Sequence, residues 1–502
     1  MGHAFRAVVT RALLFLPLAR AAHAEPAEPA AAEGAALRLA DVVAVAVRQA
    51  PDLARARIDL DTARAQLTRA EGSEDTHLSA RAATTVIGAP ATDPTGDSDS
   101  EQVTLSASRA LSTGGTVTVS AIGVRDHQIG TVTKNGMPTS AEFSRYSAGL
   151  ALQLVQPILR GAGSDAFEAP IRQAERQRDA AALTAEARAR DLVVSLSQSY
   201  WQVAFAWRQL EVRKLSLDLA QQQLAYTEGA IRAEKVPRSE LLAVQQAIAT
   251  RKQDILAGEQ DLYERSLALR QLAGLEIGPD AIAVRTEPLP AKITAAEPAL
   301  PAVLRAAFAR SAALAALAAS RRAAELAAAA ADNAARSRLD LDVTAGPIGV
   351  AGTASGALSS AIHDPGFSVI AGVTADRAIE RRTERGGQAV ARAAVQSAVL
   401  AEREAQARLA VRATRAVQRA RAAIASVALG DQAIGLAEQN VTAEQKRFEL
   451  GKSTNFDVLR RQDELEQARL RHASAVADYL AARADLDGLD GAILGRYGIV
   501  MP

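Results

Sequence analysis

The stretch LALQLVQPILRGAGSDAFEAPIRQAER, residues 150–176, joins an apolar run to a helical pattern through Gly161 and Gly163. A dinucleotide-binding fold uses the same order of strand, glycine turn and helix to bind a pyrophosphate. That fold also needs a second strand and an acidic residue about 20 positions further on. Residues 171–228 instead carry one helical pattern without glycine or proline. We therefore interpret the two glycines as a corner between a strand and a long helix.

The helical patterns in the two halves of the chain are unusually long. Residues 165–229 and 385–450 each predict a helix of about 65 residues, close to 100 Å at 1.5 Å per residue. Each is followed by a shorter helical partner of about 40 residues, which can fold back along it. Helices of this length suit the wall of a tube or a long spacer better than a globular core.

Apolar residues recur at intervals of seven in both long patterns. The series is Leu196, Val203, Leu210, Leu217, Leu224 and Ile231 in the first half, and Val427, Ile434, Val441 and Phe448 in the second. The last four members of the first series precede the second series by 217 positions. Spacing of seven is typical of coiled coils, so the sequence predicts duplicated antiparallel helical hairpins.

Segments rich in Thr, Ser and Val precede each long helix and alternate as strands do. They are residues 76–87, 101–112, 116–126 and 143–155 in the first half, and 339–350 and 367–375 in the second. Strands of this length with small polar residues on one face suit a transmembrane β-barrel. One chain offers too few strands to close a barrel, which implies an oligomer.

The N-terminus carries an export signal. Arg6 and Arg11 precede the apolar stretch ALLFLPLA, and a small-x-small site at residues 22–24 predicts cleavage before Glu25. No later run of about 20 apolar residues follows, so any membrane crossing is expected to use strands. The chain contains no cysteine, which excludes disulfides, thiol catalysis and a lipidated cysteine anchor.

The remaining composition argues against chemistry and against nucleic acid. Lys and Arg total 58 against 57 Asp and Glu, so no net field favours a nucleic-acid partner. Histidines are scattered without metal-ligand spacing, and His472 is expected to pack between helices. Tyr200 and Trp207 are seven apart and are interpreted as helix packing. Without a catalytic arrangement, we predict no enzyme and no cofactor.

Five segments follow from these patterns. They are a signal peptide (1–24), an N-terminal tail (25–36), a first structural repeat (37–278), a proline-rich connector (279–299) and a second repeat (300–502). The repeats match at their starts, where LADVVAVAVRQAPDLARAR (39–57) aligns with LPAVLRAAFARSAALAALA (300–318). Each repeat is predicted to contain a helix, barrel strands and a long helical hairpin, followed in the second by a C-terminal segment.

This plan resembles the TolC-like outer-membrane efflux family, in which three chains share one β-barrel continued by a periplasmic α-helical tunnel. The resemblance is carried by the duplication and the repeat starts, and by QPILRGAG (156–163), ADRAIERRTER (375–385) and RFELGKSTNFDVL (447–459). It implies a fold that is mainly α, with coiled-coil hairpins as the tunnel and strands in a trimeric barrel. Pro157, Gly161 and Gly163 then resemble the corner where barrel becomes tunnel.

The resemblance also implies a function. Such a homotrimer lies in the outer membrane, contacts its lipid, and has its helical part in the periplasm without a lipid anchor. It is the passive exit duct of a tripartite efflux or type I secretion system, whose other members are a periplasmic adaptor and an inner-membrane pump. A non-conducting periplasmic coiled-coil scaffold or adaptor is the alternative interpretation.

The family's periplasmic gate falls on the two helical turns. Asp457 matches the family's aspartate, whose three copies would form an acidic pore ring, and it also suits a helix N-cap. Phe448 stands where the family has a tyrosine, Glu240 is the acidic counterpart in the first turn, and Arg460 replaces a frequent second carboxylate. The adaptor would dock at these tips, on Glu234, Lys235, Gly451 and Lys452.

Overall fold

A computed structural model describes residues 36–88, 98–134, 137–277, 283–293 and 296–499. All of these except Ala36 belong to one compact unit, Leu37–Pro502. The predicted signal peptide and almost all of the predicted N-terminal tail lie outside the described residues, and both stay predictions.

Both halves contain two short helices, then strands, then a long helical hairpin. The first half contains α1 (Leu39–Gln49), α2 (Pro51–Glu71), β1 (His77–Ile87), β2 (Ser98–Ala110), β3 (Thr116–Lys134), β4 (Met137–Pro157), α3 (Ser164–Arg232) and α4 (Glu240–Ala273). The second contains α5 (Leu300–Arg310), α6 (Ala312–Ala334), β5 (Arg338–Ala351), α7 (Ala354–His363), β6 (Gly366–Asp376), α8 (Arg382–Glu449), α9 (Asn455–Leu489) and α10 (Ile493–Arg496). The second half has two strands fewer within the described residues, and α7 lies between its strands.

The long helices predicted from the seven-residue spacing are present. α3 has 69 residues and α8 has 68, while their partners α4 and α9 have 34 and 35. The last residues of α3 and α8, Arg232 and Glu449, are separated by the offset of 217 seen in the sequence. No single described helix is long and apolar enough to cross a membrane, although the bent pair α5 and α6 meets that test jointly.

The short helices break at equivalent places by different chemistry. Ala50 is extended between α1 and α2 because it precedes Pro51, which disfavours a helical conformation before it. Ser311 is extended between α5 and α6, and its hydroxyl accepts a hydrogen bond from the Leu314 amide at 3.2 Å. Both breaks let a short helix bend away from the one that leads into the sheet.

The helices form a wall that is four helices wide at two levels. Near the sheet the order of neighbours is α2, α3, α6 and α8, and further away it is α4, α3, α9 and α8. The heptad series lies in these contacts, with Leu196 and Val203 at 0% exposure and Phe448 at 5%. The predicted seam is therefore confirmed, and the many buried alanines between its members let neighbouring helices approach closely.

The strands form one antiparallel sheet in the order β1 to β6. The six predicted strands are confirmed, but β3 and β4 are longer than expected, at 19 and 21 residues. Their pairing continues to Lys134 and Met137 through residues that the sequence pattern assigned to a loop. Main-chain hydrogen bonds between strands do not require alternating side chains. The strand pairing therefore extends beyond the residues whose side chains alternate between apolar and polar.

One face of the sheet is apolar and the other is polar. The register places Leu105, Ala121 and Leu150 side by side on the apolar face, whereas Ser100 and Asp126 lie on the polar face. Large apolar side chains stay exposed on the first face, among them Leu78, Val103, Leu105, Val119, Leu150, Leu152, Phe367, Val369 and Val373. A contiguous exposed apolar surface of this kind marks contact with a membrane or with another protein.

Two aromatic residues of α3 hold the connector between the halves. The Tyr200 hydroxyl donates to the Leu37 carbonyl at 2.7 Å and accepts from the Glu287 amide at 2.8 Å. The Trp207 indole donates to the Val284 carbonyl at 2.9 Å. Burial raises the pKa of Tyr200 to about 12, so its hydroxyl stays protonated. The predicted packing role is confirmed, with hydrogen bonds added.

Replacing Tyr200 with Phe is expected to lower the free energy of unfolding by about 1–3 kcal/mol, because two partly buried main-chain groups lose their partner. Thermal unfolding of the detergent-purified protein, followed by far-UV circular dichroism, measures the loss. Tyr226→Phe is the control, because the Tyr226 ring is 43% exposed. Equal losses in the two variants would contradict the role of the Tyr200 hydroxyl.

Candidate gate at the hairpin tips

The two long helices end with the same backbone geometry at the hairpin turns. After α3 the Lys235 amide donates to the Ala230 carbonyl at 2.9 Å, and after α8 the Lys452 amide donates to the Arg447 carbonyl at 2.8 Å. This pattern closes a helix through a residue in the left-handed region. Gly451 occupies that place in the second turn with φ 71°, but Glu234 occupies it in the first with φ 56°. Glu234 therefore carries a strain that Gly451 avoids.

The second turn ends in a capping box at the start of α9. Thr454 is the N-cap, and its hydroxyl accepts from the Asp457 amide at 3.3 Å. The Asp457 carboxylate accepts in return from the Thr454 hydroxyl at 2.8 Å and from its amide at 3.4 Å. The prediction that Asp457 is the N-cap is therefore wrong. Thr454 is the N-cap, and Asp457 completes the capping box from the third position of α9.

Asp457 remains available as a charge at the tip. Hydrogen bonds from the Thr454 side chain, and then from the Thr454 amide, lower the pKa of the carboxyl below its ordinary value. The carboxylate is therefore ionised at neutral pH while it caps the helix. Capping and a negative surface charge are compatible at this position.

Asn455 joins the tip of the second hairpin to the first. Its side chain is buried at 0% exposure, and its Oδ1 accepts from Gln223 Nε2 at 2.7 Å and from Thr227 Oγ1 at 3.0 Å. The main-chain amide of Asn455 donates to Glu240 Oε2 at 3.1 Å. Glu240, the predicted acidic counterpart of the first tip, thus satisfies an amide at the start of α9 and links the two hairpins.

Arg251 makes a second link between the hairpins, nearer the middle of α4. It is 5% exposed, and its guanidinium donates to the Ser216 carbonyl at 3.0 Å and to Gln462 Oε1 at 3.3 Å. Its other terminal nitrogen lies 2.7 Å from Asp463 Oδ1. A buried guanidinium is costly unless every partner is in place, so this link is sensitive to small shifts of α4 against α9.

The other predicted gate residues lie in different surroundings. Phe448 packs on the Tyr226 ring with centroids 5.6 Å apart, so it contributes apolar contact between the long helices. Arg460 is exposed and pairs with Glu464 at 3.4 Å. The structure thus brings Phe448, Glu240 and Asp457 to one end of the hairpins and places Arg460 further along α9.

The predicted docking residues are all exposed at the turns. Glu234, Lys235, Gly451 and Lys452 are joined there by apolar side chains that the sequence reasoning did not select. These are Leu242, Leu450 and Phe456, which are 68%, 70% and 66% exposed. Leu450 and Phe456 stand inside the motif RFELGKSTNFDVL, but no spacing rule distinguishes an exposed apolar residue there from a buried one.

The predicted corner lies between β4 and α3. Gly161 and Gly163 have φ of 82° and 89°, in the region that favours glycine. The Gly163 amide donates to the Thr113 carbonyl at 2.9 Å. The Gly161 amide donates to Asn333 Oδ1 at 2.8 Å, which ties the corner to the end of α6. Pro157 is the last residue of β4.

Known proteins share this architecture. Residues 102–275 match the family model described as outer membrane efflux protein. The outer-membrane channel OprN is similar over 90% of this chain and 89% of its own, with 16% identity and a TM-score of 0.66. The outer membrane protein VceC from Vibrio cholerae is similar over 90% of this chain and 96% of its own, with 15% identity and a TM-score of 0.63.

A third solved structure has the same fold. The MtrE outer membrane channel of Neisseria gonorrhoeae, in its open state, is similar over 90% of this chain and 89% of its own, with 16% identity and a TM-score of 0.61. No curated protein sequence matches the chain significantly. At these identities the likeness to solved structures establishes the fold.

Replacing Gly451 with Ala is expected to destabilise the second tip by about 1 kcal/mol, because a Cβ is unfavourable in the left-handed region. Amide hydrogen exchange of residues 446–455, followed by mass spectrometry, should then be about fivefold faster. Glu234→Ala is the matched control, since that position already carries a Cβ at the same place in its turn. Equal acceleration in the two variants would contradict the strain assigned to this conformation.

Proposed function

Because residues 102–275 match the outer membrane efflux protein family model and the chain has the fold of outer-membrane channels, we propose that it is a passive exit duct through the outer membrane. In this proposal an inner-membrane pump and a periplasmic adaptor deliver the substrate to its helical end. The observation that carries the proposal is the direct union of an apolar-faced sheet with helices of 69 and 68 residues. The sheet suits the membrane, and helices of about 100 Å suit a passage across the periplasm.

The sheet is incomplete without further copies of the chain. β1 and β6 are its edges, so each leaves one row of main-chain groups without a ladder partner among the described strands. Because the described residues contribute an even number of strands, β6 of one copy would meet β1 of the next in the antiparallel sense. A ring of copies therefore satisfies both edges with the same pairing geometry.

The widths of the sheet and of the helical wall support such a ring. Six strands at about 4.8 Å spacing and roughly 40° tilt occupy about 38 Å of circumference. Four helices at about 9–10 Å spacing occupy nearly the same length. Three copies, as the family resemblance implies, would give a barrel of 18 strands above a wall of equal width. Barrels of this size enclose an aqueous channel.

We assign the gate to the contacts between hairpins at the periplasmic end. Glu240 and Asn455 link the tips, and Arg251 links α4 to Asp463 on α9. Opening would move the first hairpin away from the second and would break both links. Three copies of Asp457 would place carboxylates around the narrow end, where they attract cations.

We assign the docking site of the periplasmic adaptor to the exposed turns of the two hairpins. Lys235 and Lys452 provide charge there, and Leu450 and Phe456 provide apolar surface beside it. Exposed apolar side chains with charged neighbours are typical of the centre and rim of a protein interface. Docking at this surface would act directly on the adjacent gate contacts.

Conductance is the test of the duct. The full chain, purified from membranes in detergent, is reconstituted in a planar bilayer, and its molar mass is measured on the same sample. Discrete channel events from a species of three chains are expected. A soluble, non-conducting protein would overturn the duct and favour the periplasmic scaffold.

Replacing Asp457 with Asn is expected to weaken cation preference and block by multivalent cations without changing the molar mass. Because hydrogen bonding lowers the pKa of Asp457, the wild-type preference should persist below the pH at which an ordinary carboxyl is protonated. Reversal potentials in asymmetric salt measure the preference. Asp218→Asn, on an exposed part of α3, is the control, and unchanged selectivity in Asp457→Asn would leave that residue only its capping role.

Replacing Arg251 with Ala is expected to raise the open fraction, because the link from α4 to α9 loses its guanidinium. Single-channel recordings measure the open fraction and the unit conductance. Arg238→Ala removes an exposed arginine near the first turn and should leave both unchanged. Equal effects of the two substitutions would contradict a latch at Arg251.

A further inference from the structure

The short helix α7 packs on the apolar face of the sheet. It follows β5 directly, begins at the Thr353 cap, and contacts β4 and β5. Gly349 makes this contact close, because a Cβ there would lie 2.1 Å from the Ala361 nitrogen and 2.3 Å from the Ala357 oxygen. Ala357 is 1% exposed. Small residues on both sides thus fix α7 against the strand.

An apolar groove runs beside α7 over the middle strands. Its volume is about 610 Å³, and it is lined mainly by Val103, Leu105, Leu150, Pro347, Leu358 and Ile362. Leu358 and Ile362 are 57% and 66% exposed, so α7 presents apolar side chains outward as well as toward the groove. The lining is suited to a hydrocarbon chain.

A polar row closes the end of the groove that is remote from the helical wall. Glu101, Arg125 and Tyr146 are cross-strand neighbours on the apolar face and also line the groove. The Arg125 guanidinium lies 3.3 Å from Glu101 Oε2. Its Nε is buried and has no hydrogen-bond partner among the described residues. An arginine and a tyrosine bordering an apolar band are typical of the headgroup level of a membrane.

We propose that this groove binds one acyl chain of an anionic phospholipid in the membrane leaflet remote from the helical wall, with Arg125 at its phosphate. The inference rests on the proposed membrane location of the sheet. The guanidinium matches a phosphate in charge and donor geometry. Another copy of the chain does not fit the groove, because copies would join at β1 and β6 whereas the groove lies over β2 to β5 and α7.

Native mass spectrometry of the full protein in detergent tests the proposal. Phosphatidylglycerol and phosphatidylcholine with identical acyl chains are the probes. The wild type is expected to retain one phosphatidylglycerol per chain in preference to phosphatidylcholine. Arg125→Gln should lose that preference, while Arg145→Gln, the same change on the polar face, should keep it. Ile362→Asn should reduce retention of both lipids, because it places an amide in the acyl site.

The outcomes separate this inference from the proposed function. Planar-bilayer conductance is recorded for every variant, so a protein that does not insert or conduct fails as a duct. A conducting protein that retains no lipid at one per chain overturns the groove. Equal lipid preference in Arg125→Gln and Arg145→Gln overturns the contact between Arg125 and the phosphate.

Discussion

The structure depends on one close backbone contact, where the turn between β2 and β3 meets the corner between β4 and α3. A Cβ on Gly114 would lie 2.0 Å from the Gly161 carbonyl oxygen, so only glycine fits. The Thr113 carbonyl accepts a hydrogen bond from the Gly163 amide, and Asn333 Oδ1 accepts one from the Gly161 amide. At this point the strand spacing of the sheet is converted into the helix spacing of the wall.

Stability is distributed unevenly along the helices. Near the sheet and the connector, contacts are apolar and alanine-rich, and Tyr200 bonds partly buried main-chain groups. Toward the tips, the contacts between hairpins are polar and involve Asn455, Glu240 and Arg251. Polar links are directional and are lost over small displacements, whereas apolar packing is not directional. In the proposed duct, the apolar part would be the rigid wall and the polar tips would be the part that opens.

Much of this architecture could be predicted from the sequence because its signals are periodic. Spacing of seven marks the coiled-coil helices, and alternation marks the strands. The helix α7 was missed, because ASGALSSAIH is short and rich in serine, and its position depends on Gly349 in a neighbouring strand. Family resemblance selected Asp457 and Glu240 for the tip. It could not reveal that Asn455 bonds Gln223 across 232 positions, since contacts at such separation leave no local pattern.

The described residues contribute an even number of strands, which limits how the proposed barrel could differ between related proteins. Adding or deleting one complete hairpin, such as β1 with β2, leaves the strand direction at both subunit borders unchanged. In the proposed duct, the diameter of the barrel could therefore change by whole hairpins per chain while the strand pairing between copies stays the same. The helical wall would limit which barrel widths can join it without a gap, and the six described strands beside four neighbouring helices are one such match.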